Sequence, residues 1–274
     1  MARTTKKRRQ ELKHDKFRDT TMDVYGRVAH RVEGRGRTIV YIVLAGLALA
    51  VGLLAYNWWR GNQADAARLA LGKAIEVAEA PVVSGTPDLT QTGQTFPSER
   101  ERAQKAVEEF QKVQNKYGAP YNELARYFAA VNLLTVERGK GVAELEAISK
   151  GGNDEVAARA RFTLAQAREA DGQLDAAAAL YQELLKSKDG PVSENTINLR
   201  LAAVYEKQDK KEAAADILYR MVEASRKEQG KDGKPVQPSV TIRAADEQLQ
   251  KLSPARYAQL PAKPAAAAPG GLPF

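Results

Sequence analysis

Apolar residues follow two different patterns along the chain. Residues 39–56 form an uninterrupted run of eighteen positions without a charge or a strongly polar side chain. As a helix rising about 1.5 Å per residue, the run spans roughly 27 Å, close to the hydrocarbon thickness of a bilayer. Tyr56, Trp58 and Trp59 stand at its end, where interfacial aromatic residues are expected. The pattern predicts a transmembrane helix at 38–60.

After residue 61 the apolar residues recur at spacings of three and four, within blocks rich in good helix formers such as Ala, Leu, Glu and Lys. Prolines separate these blocks, and none of the blocks alternates apolar and polar residues as a strand does. The predicted fold class is all-α, with a single transmembrane helix followed by packed helices, the last of them at 239–252.

Composition divides the chain into four regions. The prediction is a basic tail at 1–37, the transmembrane helix at 38–60 and a helical domain at 61–252. A loop insert with three prolines is expected within this domain at 81–97. The Pro-, Ala- and Gly-rich end of the chain, 253–274, is predicted to be disordered.

The net charge of +8 belongs almost entirely to the tail. Residues 1–37 hold twelve Lys and Arg against five Asp and Glu, a net of +7, and the rest of the chain holds 30 against 29. Because basic flanks stay in the cytoplasm, we expect a cytoplasmic tail and a domain across the membrane. A signal peptide cleaved near Ala48 is the alternative, and the apolar run that continues beyond this position argues against cleavage.

The tail has an amphipathic pattern of its own. Phe17, Val24, Val28 and Val32 recur at spacings of seven and four among the charges. This pattern favours a basic helix on the anionic inner leaflet, so the lipid bilayer is an expected partner. Nucleic acid is not expected as a partner, because Phe17 and Tyr25 are the only aromatic residues that the tail offers for stacking on bases.

Residue types restrict the chemistry of the domain. The chain has no cysteine, and both histidines, His14 and His30, lie in the tail. Imidazole bases, thiolate nucleophiles and His- or Cys-bound zinc are therefore excluded from residues 62–274. We predict no catalytic, cofactor-binding or metal-binding residues, and an enzyme with a carboxylate-only site is a third interpretation. No glycine-rich phosphate loop follows a strand pattern, and Gly139 and Gly141 are interpreted as breaks between helices.

Small residues recur on one face of the predicted span at spacings of three and four, at Ala45, Ala48, Gly52 and Ala55. Such residues let helix backbones approach closely in lipid, which would allow packing against a partner span or a second copy in a homo-oligomer. Ala and Gly are also common in membrane helices, and the pattern leaves both interpretations open.

Two blocks of the domain resemble each other. LAQAREADGQLDAAAALYQELL, residues 164–185, aligns without gaps to LAAVYEKQDKKEAAADILYRMV, residues 201–222, with six identities in 22 positions and a period of 37. Each block predicts a helix, a short polar turn and a second helix. A single hairpin of this kind cannot bury its apolar face, so several hairpins are expected to stack.

The spacing within the blocks resembles the tetratricopeptide repeat, which has a Leu-Ala pair, a turn, a small residue and then a bulky one. The positions that carry the resemblance are Leu164, Ala165, Gly172, Ala177 and Tyr181 in one block, Leu201, Ala202, Tyr205, Ala214 and Leu218 in the next, and Ala129, Ala130, Leu133, Gly139 and Ala143 in a weaker copy. A first unit would pair helices at 62–80 and 98–117. The resemblance implies a tetratricopeptide-like solenoid of three to four helical hairpins.

The order of basic tail, uncleaved span and helical repeats resembles the bacterial ancillary translocon-subunit family. RARFTLAQAREADGQLDAAAAL and INLRLAAVYEKQDKKEAAADIL carry this resemblance. It implies a single-pass protein of the bacterial inner membrane, with a cytoplasmic N-terminus and a periplasmic domain. The expected function is a non-enzymatic scaffold beside the protein-export channel that binds partner or client proteins, such as export machinery, chaperones or envelope proteins. The alternative is a structural subunit of a cell-envelope or division complex.

In such a solenoid the first helix of each hairpin lines the concave side. The repeat frame places nine residues there: Tyr127, Val131, Leu134, Phe162, Gln166, Glu169, Leu199, Ala203 and Glu206. These side chains are the candidate partner-binding residues, because they combine apolar area with polar groups that set register. A role as core between adjacent hairpins is the alternative for the larger ones.

Overall fold

The computed structural model of the chain describes residues 36–83, 94–152, 154–187, 190–229 and 236–263. Most of the predicted basic tail and the last eleven residues lie outside these ranges. Within them all regular secondary structure is helical, apart from isolated bridge residues, Val82 with Phe96 and also Gln229. The all-α prediction is confirmed.

Ten helices are present in the described residues. Their bounds are α1 Gly36–Glu79, α2 Glu99–Lys116, α3 Tyr121–Val136, α4 Arg138–Ser149, α5 Asp154–Ala170, α6 Leu174–Leu184, α7 Glu194–Lys207, α8 Lys211–Lys227, α9 Val240–Leu252 and α10 Pro254–Tyr257.

Serine caps explain where three of these helices begin. The hydroxyl oxygens of Ser98, Ser193 and Ser239 accept hydrogen bonds from the backbone N–H three residues further on, at 3.2 to 3.3 Å. Each serine is in the extended conformation that a helix N-cap adopts. The residues at which α2, α7 and α9 start are thus determined by the sequence in their immediate neighbourhood.

The chain divides into two compact units, Met1–Asp65 and Ala66–Phe274. In the first unit, the side chains of α1 from Val40 to Trp59 that the structure describes are exposed. By length and composition, α1 is one helix that could cross a membrane. The helices predicted at 38–60 and 62–80 are continuous in α1, because the second segment consists mainly of Ala, Leu and other good helix formers.

In the second unit each helix packs chiefly against its neighbours in sequence, from α2 through α9. Further contacts join α3 to α5 and α7 to α9, which are the first helices of successive hairpins. Leu71 and Ala74, in the end of α1, share a hydrophobic cluster with Phe110 of α2. The described residues therefore form three stacked hairpins, α3 with α4, α5 with α6 and α7 with α8, with α2 packed against α3 before them and α9 against α8 after them.

The small residues of the repeat pattern lie where helices cross. Ala165, Ala177, Ala202 and Ala214 are fully buried. Tyr181 and Leu218, the bulky residues of the two aligned blocks, are also fully buried. The pattern of small and bulky positions thus corresponds to the packing between helices, as tetratricopeptide-like hairpins require.

The two aligned blocks turn in the same way. Gly172 and Asp209, at equivalent positions, both have left-handed backbones, with φ of 74° and 59°. The N–H groups of the following residues, Gln173 and Lys210, each donate to a carbonyl five residues earlier at 2.8 Å. This is the Schellman arrangement that closes helix C-termini, and it ends α5 and α7.

Gly141 differs from its predicted role. It is buried inside α4 and is not a break between helices. A Cβ atom at this position would lie 2.6 Å from the backbone nitrogen of Leu134 and 2.9 Å from the carbonyl carbon of Leu133. Gly141 therefore lies at a close contact between α4 and α3. Gly139 also lies in α4, exposed and with open space around it.

Order continues beyond residue 253, where disorder was expected to begin. Pro254 starts the short helix α10, as proline commonly does. Leu260 is buried in the same hydrophobic cluster as Leu218 and Leu249. The described part of the tail is thus held by tertiary contacts, which its Pro- and Ala-rich composition does not indicate.

Candidate functional site

The nine predicted partner-binding residues lie on α3, α5 and α7, the first helices of three successive hairpins. We refer to them as the nine-residue face. Eight of them are half-buried and Glu206 is exposed. None is fully buried, so each retains some surface that a partner could contact.

The aromatic members of this face also hold neighbouring hairpins together. The hydroxyl of Tyr127 in α3 lies 2.9 Å from the hydroxyl of Thr163 in α5. The ring of Phe162 meets the buried ring of Tyr181 edge-on, with 5.8 Å between centroids. Leu199 packs at the edge of the same cluster as Tyr181. These side chains therefore contribute to packing between hairpins and keep part of their area exposed.

Two acidic members link successive first helices by polar contacts. The Lys207 ammonium of α7 donates to Glu169 of α5 at 2.6 Å. The Gln248 side-chain amide of α9 donates to Glu206 of α7 at 2.6 Å. Together with the contact of Tyr127, these bonds form a series that runs from α3 through α5 and α7 to α9.

Glu169 has a second partner in the core. Its side chain is only 9% exposed, and it accepts a hydrogen bond from the Tyr181 hydroxyl at 3.4 Å. Burial raises the pKa of Tyr181, and the nearby charge of Glu169 raises that pKa further. The phenol therefore stays protonated and able to donate. Glu169 thus joins α5, α6 and α7.

A cleft of about 650 Å³ lies elsewhere, between α2, α3 and α4. Its lining includes Ala129, Ala130 and Leu133 of α3, and it contains no member of the nine-residue face. The repeat pattern of the sequence did not predict this cleft. The signal for it was present, because Ala129 aligns with the larger Leu164 and Leu201 of the later hairpins.

The charged groups that line the cleft are paired. Glu137 binds Lys140 at 2.5 Å and Glu144 binds Arg126 at 2.8 Å. Glu108 is paired with Lys105, which lies outside the cleft lining, at 2.9 Å. Ion pairs of this kind are typical of a solvated surface. Among the described residues, no group of three His, Asp or Glu side chains is placed to hold a metal ion.

The small residues of the span, Ala45, Ala48, Gly52 and Ala55, are all exposed on α1. No atom within 4 Å would meet a Cβ at Gly52. The stripe is thus open along the helix, and packing against a partner span or a second copy stays a prediction.

No protein-family model and no curated protein matches the chain. Two solved structures are similar to it: the nearly identical TPR-like repeats of a Podosopora anserina protein named for a kinesin light chain, and a single-substitution variant of them. Each is 17% identical with a TM-score of 0.42, and each match covers 58% of this chain and 80 to 81% of the other. The assignment of stacked helical hairpins rests on the packing described above.

Proposed function

We propose that this chain is a membrane-anchored scaffold without catalytic activity, whose helical hairpins bind partner or client proteins. In this proposal α1 anchors the chain in the bacterial inner membrane, the basic tail is cytoplasmic and the hairpin domain is periplasmic. The partners belong to the protein-export machinery, beside the export channel. This placement rests on the order of tail, span and repeats, which resembles the ancillary translocon-subunit family.

The observation that carries the proposal is the nine-residue face. It extends over three successive first helices and offers half-buried aromatic and aliphatic side chains next to fixed carboxylates. A surface of this kind suits an extended or helical protein segment, because apolar contacts supply affinity and polar groups set register. The contacts between successive first helices hold these side chains in place before a partner arrives, which lowers the entropic cost of binding.

Photo-crosslinking in intact cells tests this function. A photoreactive amino acid is placed at Phe162 in the full chain, and the control carries it at Ala176, which is exposed on α6 away from the face. We expect position 162 to crosslink to export components and position 176 to give none of these products. Equal products from both positions would contradict the assignment of the face.

The partners captured decide between the two interpretations of the scaffold. Recovery of peptidoglycan-synthesis or division proteins from position 162, without export components, would support a structural subunit of an envelope complex. A double variant, Tyr127→Ala with Phe162→Ala, should lower partner recovery, and Lys112→Ala on the exposed side of α2 should leave it unchanged. Melting curves of both variants verify that the domain stays folded.

Cysteine labelling tests the orientation. Because the chain has no cysteine, a single Ala176→Cys or Thr4→Cys substitution introduces one reactive thiol. With a membrane-impermeant maleimide on cells with a permeable outer membrane, we expect labelling at position 176. Position 4 should react only after the inner membrane is opened. The reverse pattern would overturn the proposed orientation.

A further inference from the structure

The end of the described chain forms a distinct contact with the last two long helices. We call residues 254–263 the C-terminal strap. Leu260 of the strap is buried, and Tyr257 packs against the same hydrophobic cluster, which also contains Met221 of α8 and Leu249 of α9. The Tyr219 hydroxyl of α8 donates to the backbone carbonyl of Gln259 at 3.4 Å.

Charged groups fix the strap at both ends. Near its start, the Arg256 guanidinium binds Asp216 and also Glu212, the latter at 2.9 Å, both on α8. At its end, the Lys263 ammonium binds Asp246 of α9 at 2.9 Å. The strap thus supplies cations and α8 and α9 supply carboxylates.

Arg226 and Asp246 form the most buried ion pair at this contact. Their side chains are 10% and 16% exposed, and they lie 2.6 Å apart. Arg226 also donates to the carbonyl of Pro261 at 2.6 Å, and the Tyr257 hydroxyl donates to Asp246 at 3.2 Å. Both residues of this pair, one on α8 and one on α9, therefore have polar groups directed at the strap.

The order of the helices explains why α8 and α9 have a surface that the strap can cover. Helix α9 follows the hairpin of α7 and α8 and occupies the place of a first helix, since it contacts both α8 and α7. The following helix, α10, has only four residues and contacts α9 and α8. The strap therefore covers the surface that the second helix of a further hairpin would cover, and α8 and α9 form a groove there.

We infer that this groove between α8 and α9 is a peptide-binding site that the chain's own strap occupies, so that the strap regulates access to it. The partner is a protein segment of the same chemistry: an aromatic residue and a leucine three positions apart, with a basic residue at each end, as in Arg256, Tyr257, Leu260 and Lys263. Charge complementarity with Glu212, Asp216 and Asp246 favours such a segment. This site goes beyond the proposed function and uses different helices from the nine-residue face.

A labelled peptide with the sequence of residues 253–263 tests the inference by fluorescence anisotropy on the full chain in detergent. In the released variant, Arg256→Glu with Leu260→Asp, the strap no longer competes. Apparent affinity falls with the fraction of sites that are open, so a strap bound nine-tenths of the time weakens peptide binding about tenfold. We expect the released variant to bind the peptide at least about tenfold more tightly than the wild type.

Controls locate the site. A peptide that carries the same two substitutions should not bind, and Glu212→Lys with Asp216→Lys in the released variant should abolish binding. Tyr127→Ala in the nine-residue face should leave peptide affinity unchanged, so failure of this inference and failure of the proposed function are distinguishable. Equal affinity of wild type and released variant, or binding that survives the α8 substitutions, would overturn the inference.

A measurement on the wild type avoids the risk that a variant unfolds. Saturating peptide should displace the strap and increase hydrogen exchange of the backbone amides at residues 254–263 at least about tenfold, with α3 to α6 unchanged. No change at residues 254–263 under saturating peptide would overturn the inference.

Discussion

Gly141 sets the distance between two helices by lacking a side chain. A Cβ there would meet backbone atoms of Leu134 and Leu133 at 2.6 and 2.9 Å, and backbone cannot move aside as a flexible side chain can. We expect Gly141→Ala to lower the free energy of unfolding by about 1 to 3 kcal/mol. Chemical denaturation of the full chain in detergent measures this change.

Gly139 is the matched control in the same helix. It is exposed, and a Cβ there would meet no atom within 4 Å. Gly139→Ala should therefore leave stability unchanged or raise it by less than about 1 kcal/mol, because Gly139 lies in the first turn of α4, where helix propensity counts less than in the middle. Equal changes in stability from both substitutions would show that Gly141 is not required for the close contact between α4 and α3.

Gly172 is required for its backbone conformation. Its φ of 74° is accessible to glycine at no cost, whereas Cβ strain makes it unfavourable for alanine. We expect Gly172→Ala to cost about 1 kcal/mol and Gly172→Asn to cost less, because Asn tolerates this region. Thermal melting of the two variants measures the order. Gly152→Ala, at an exposed glycine without a positive φ, should change little.

The turn at Gly172 was predictable from residue type, and the role of Gly141 was not. A glycine after a helical block indicates a C-cap without knowledge of any distant residue. The requirement at Gly141 depends on where α3 passes α4, which is a tertiary distance. From residue type alone, both glycines were predicted to interrupt helices, and this prediction was right for Gly172 and wrong for Gly141.

At the scale of helices, volume decides which alanines can be replaced. Ala177 and Ala214 are fully buried at helix crossings, so Leu at either position should overpack the crossing and cost about 1 to 3 kcal/mol. Ala176→Leu, on the exposed side of α6, is the control. An unchanged melting transition in Ala177→Leu and Ala214→Leu would count against the repeat assignment.

Leucine at Ala129 should change stability less than leucine at Ala177 does, although Ala129 is also buried. It lines the cleft of about 650 Å³, and leucine occupies the aligned positions Leu164 and Leu201. Ala129→Leu should therefore change stability by less than about 1 kcal/mol, because open space accepts the side chain. A loss as large as that in Ala177→Leu, measured by the same melting assay, would show that the cleft cannot accept it.

Helix identity was predicted well from local pattern, and helix length less well. Serine caps and the spacing of apolar residues locate α2, α7 and α9, because these signals lie within a few residues of each helix. The helices predicted at 38–60 and 62–80 are one continuous helix, α1. The composition changes from wholly apolar to mixed near residue 60, and the backbone stays helical through this change.

At the scale of the whole domain, Asp246 links stability to pH. Burial alone would raise its pKa, but hydrogen bonds from Lys263 and Arg226 and their charges lower the pKa below its ordinary value of 3.8. A carboxylate with a lowered folded-state pKa stabilises the fold above its unfolded-state pKa, and this contribution is lost as pH falls through the folded-state pKa. Stability from this contact should therefore be constant near neutral pH and fall below about pH 4.

Asp246→Asn tests this dependence. At pH 7 the variant should lose about 1 to 3 kcal/mol, because the buried Arg226 guanidinium loses its charged partner. As pH falls through the lowered folded-state pKa, the difference between variant and wild type should shrink, since the wild-type carboxyl then becomes protonated as well. Denaturation curves across pH measure both effects, and a difference that is independent of pH would contradict the role of the charge.

The sequence by itself determined the helical class, the apolar helix that could cross a membrane, the stacked hairpins and their turns. These features depend on composition and on spacings within one or two helices, which a single chain displays directly. It also placed the nine candidate residues on successive first helices. Whether those residues serve a partner or only the packing between hairpins was left open, because sequence periodicity reports which face a residue is on and not how much of it stays exposed.

The tertiary structure alone decided three features: the contact at Gly141, the cleft beside Ala129 and the strap over α8 and α9. Each depends on residues far apart in the chain, such as Arg226 with Pro261 or Glu212 with Arg256. The Pro- and Ala-rich strap has no local signal of order, since its stability comes from a groove built by other helices. Distances between such segments are set by packing, and packing is determined only when all the helices are in place.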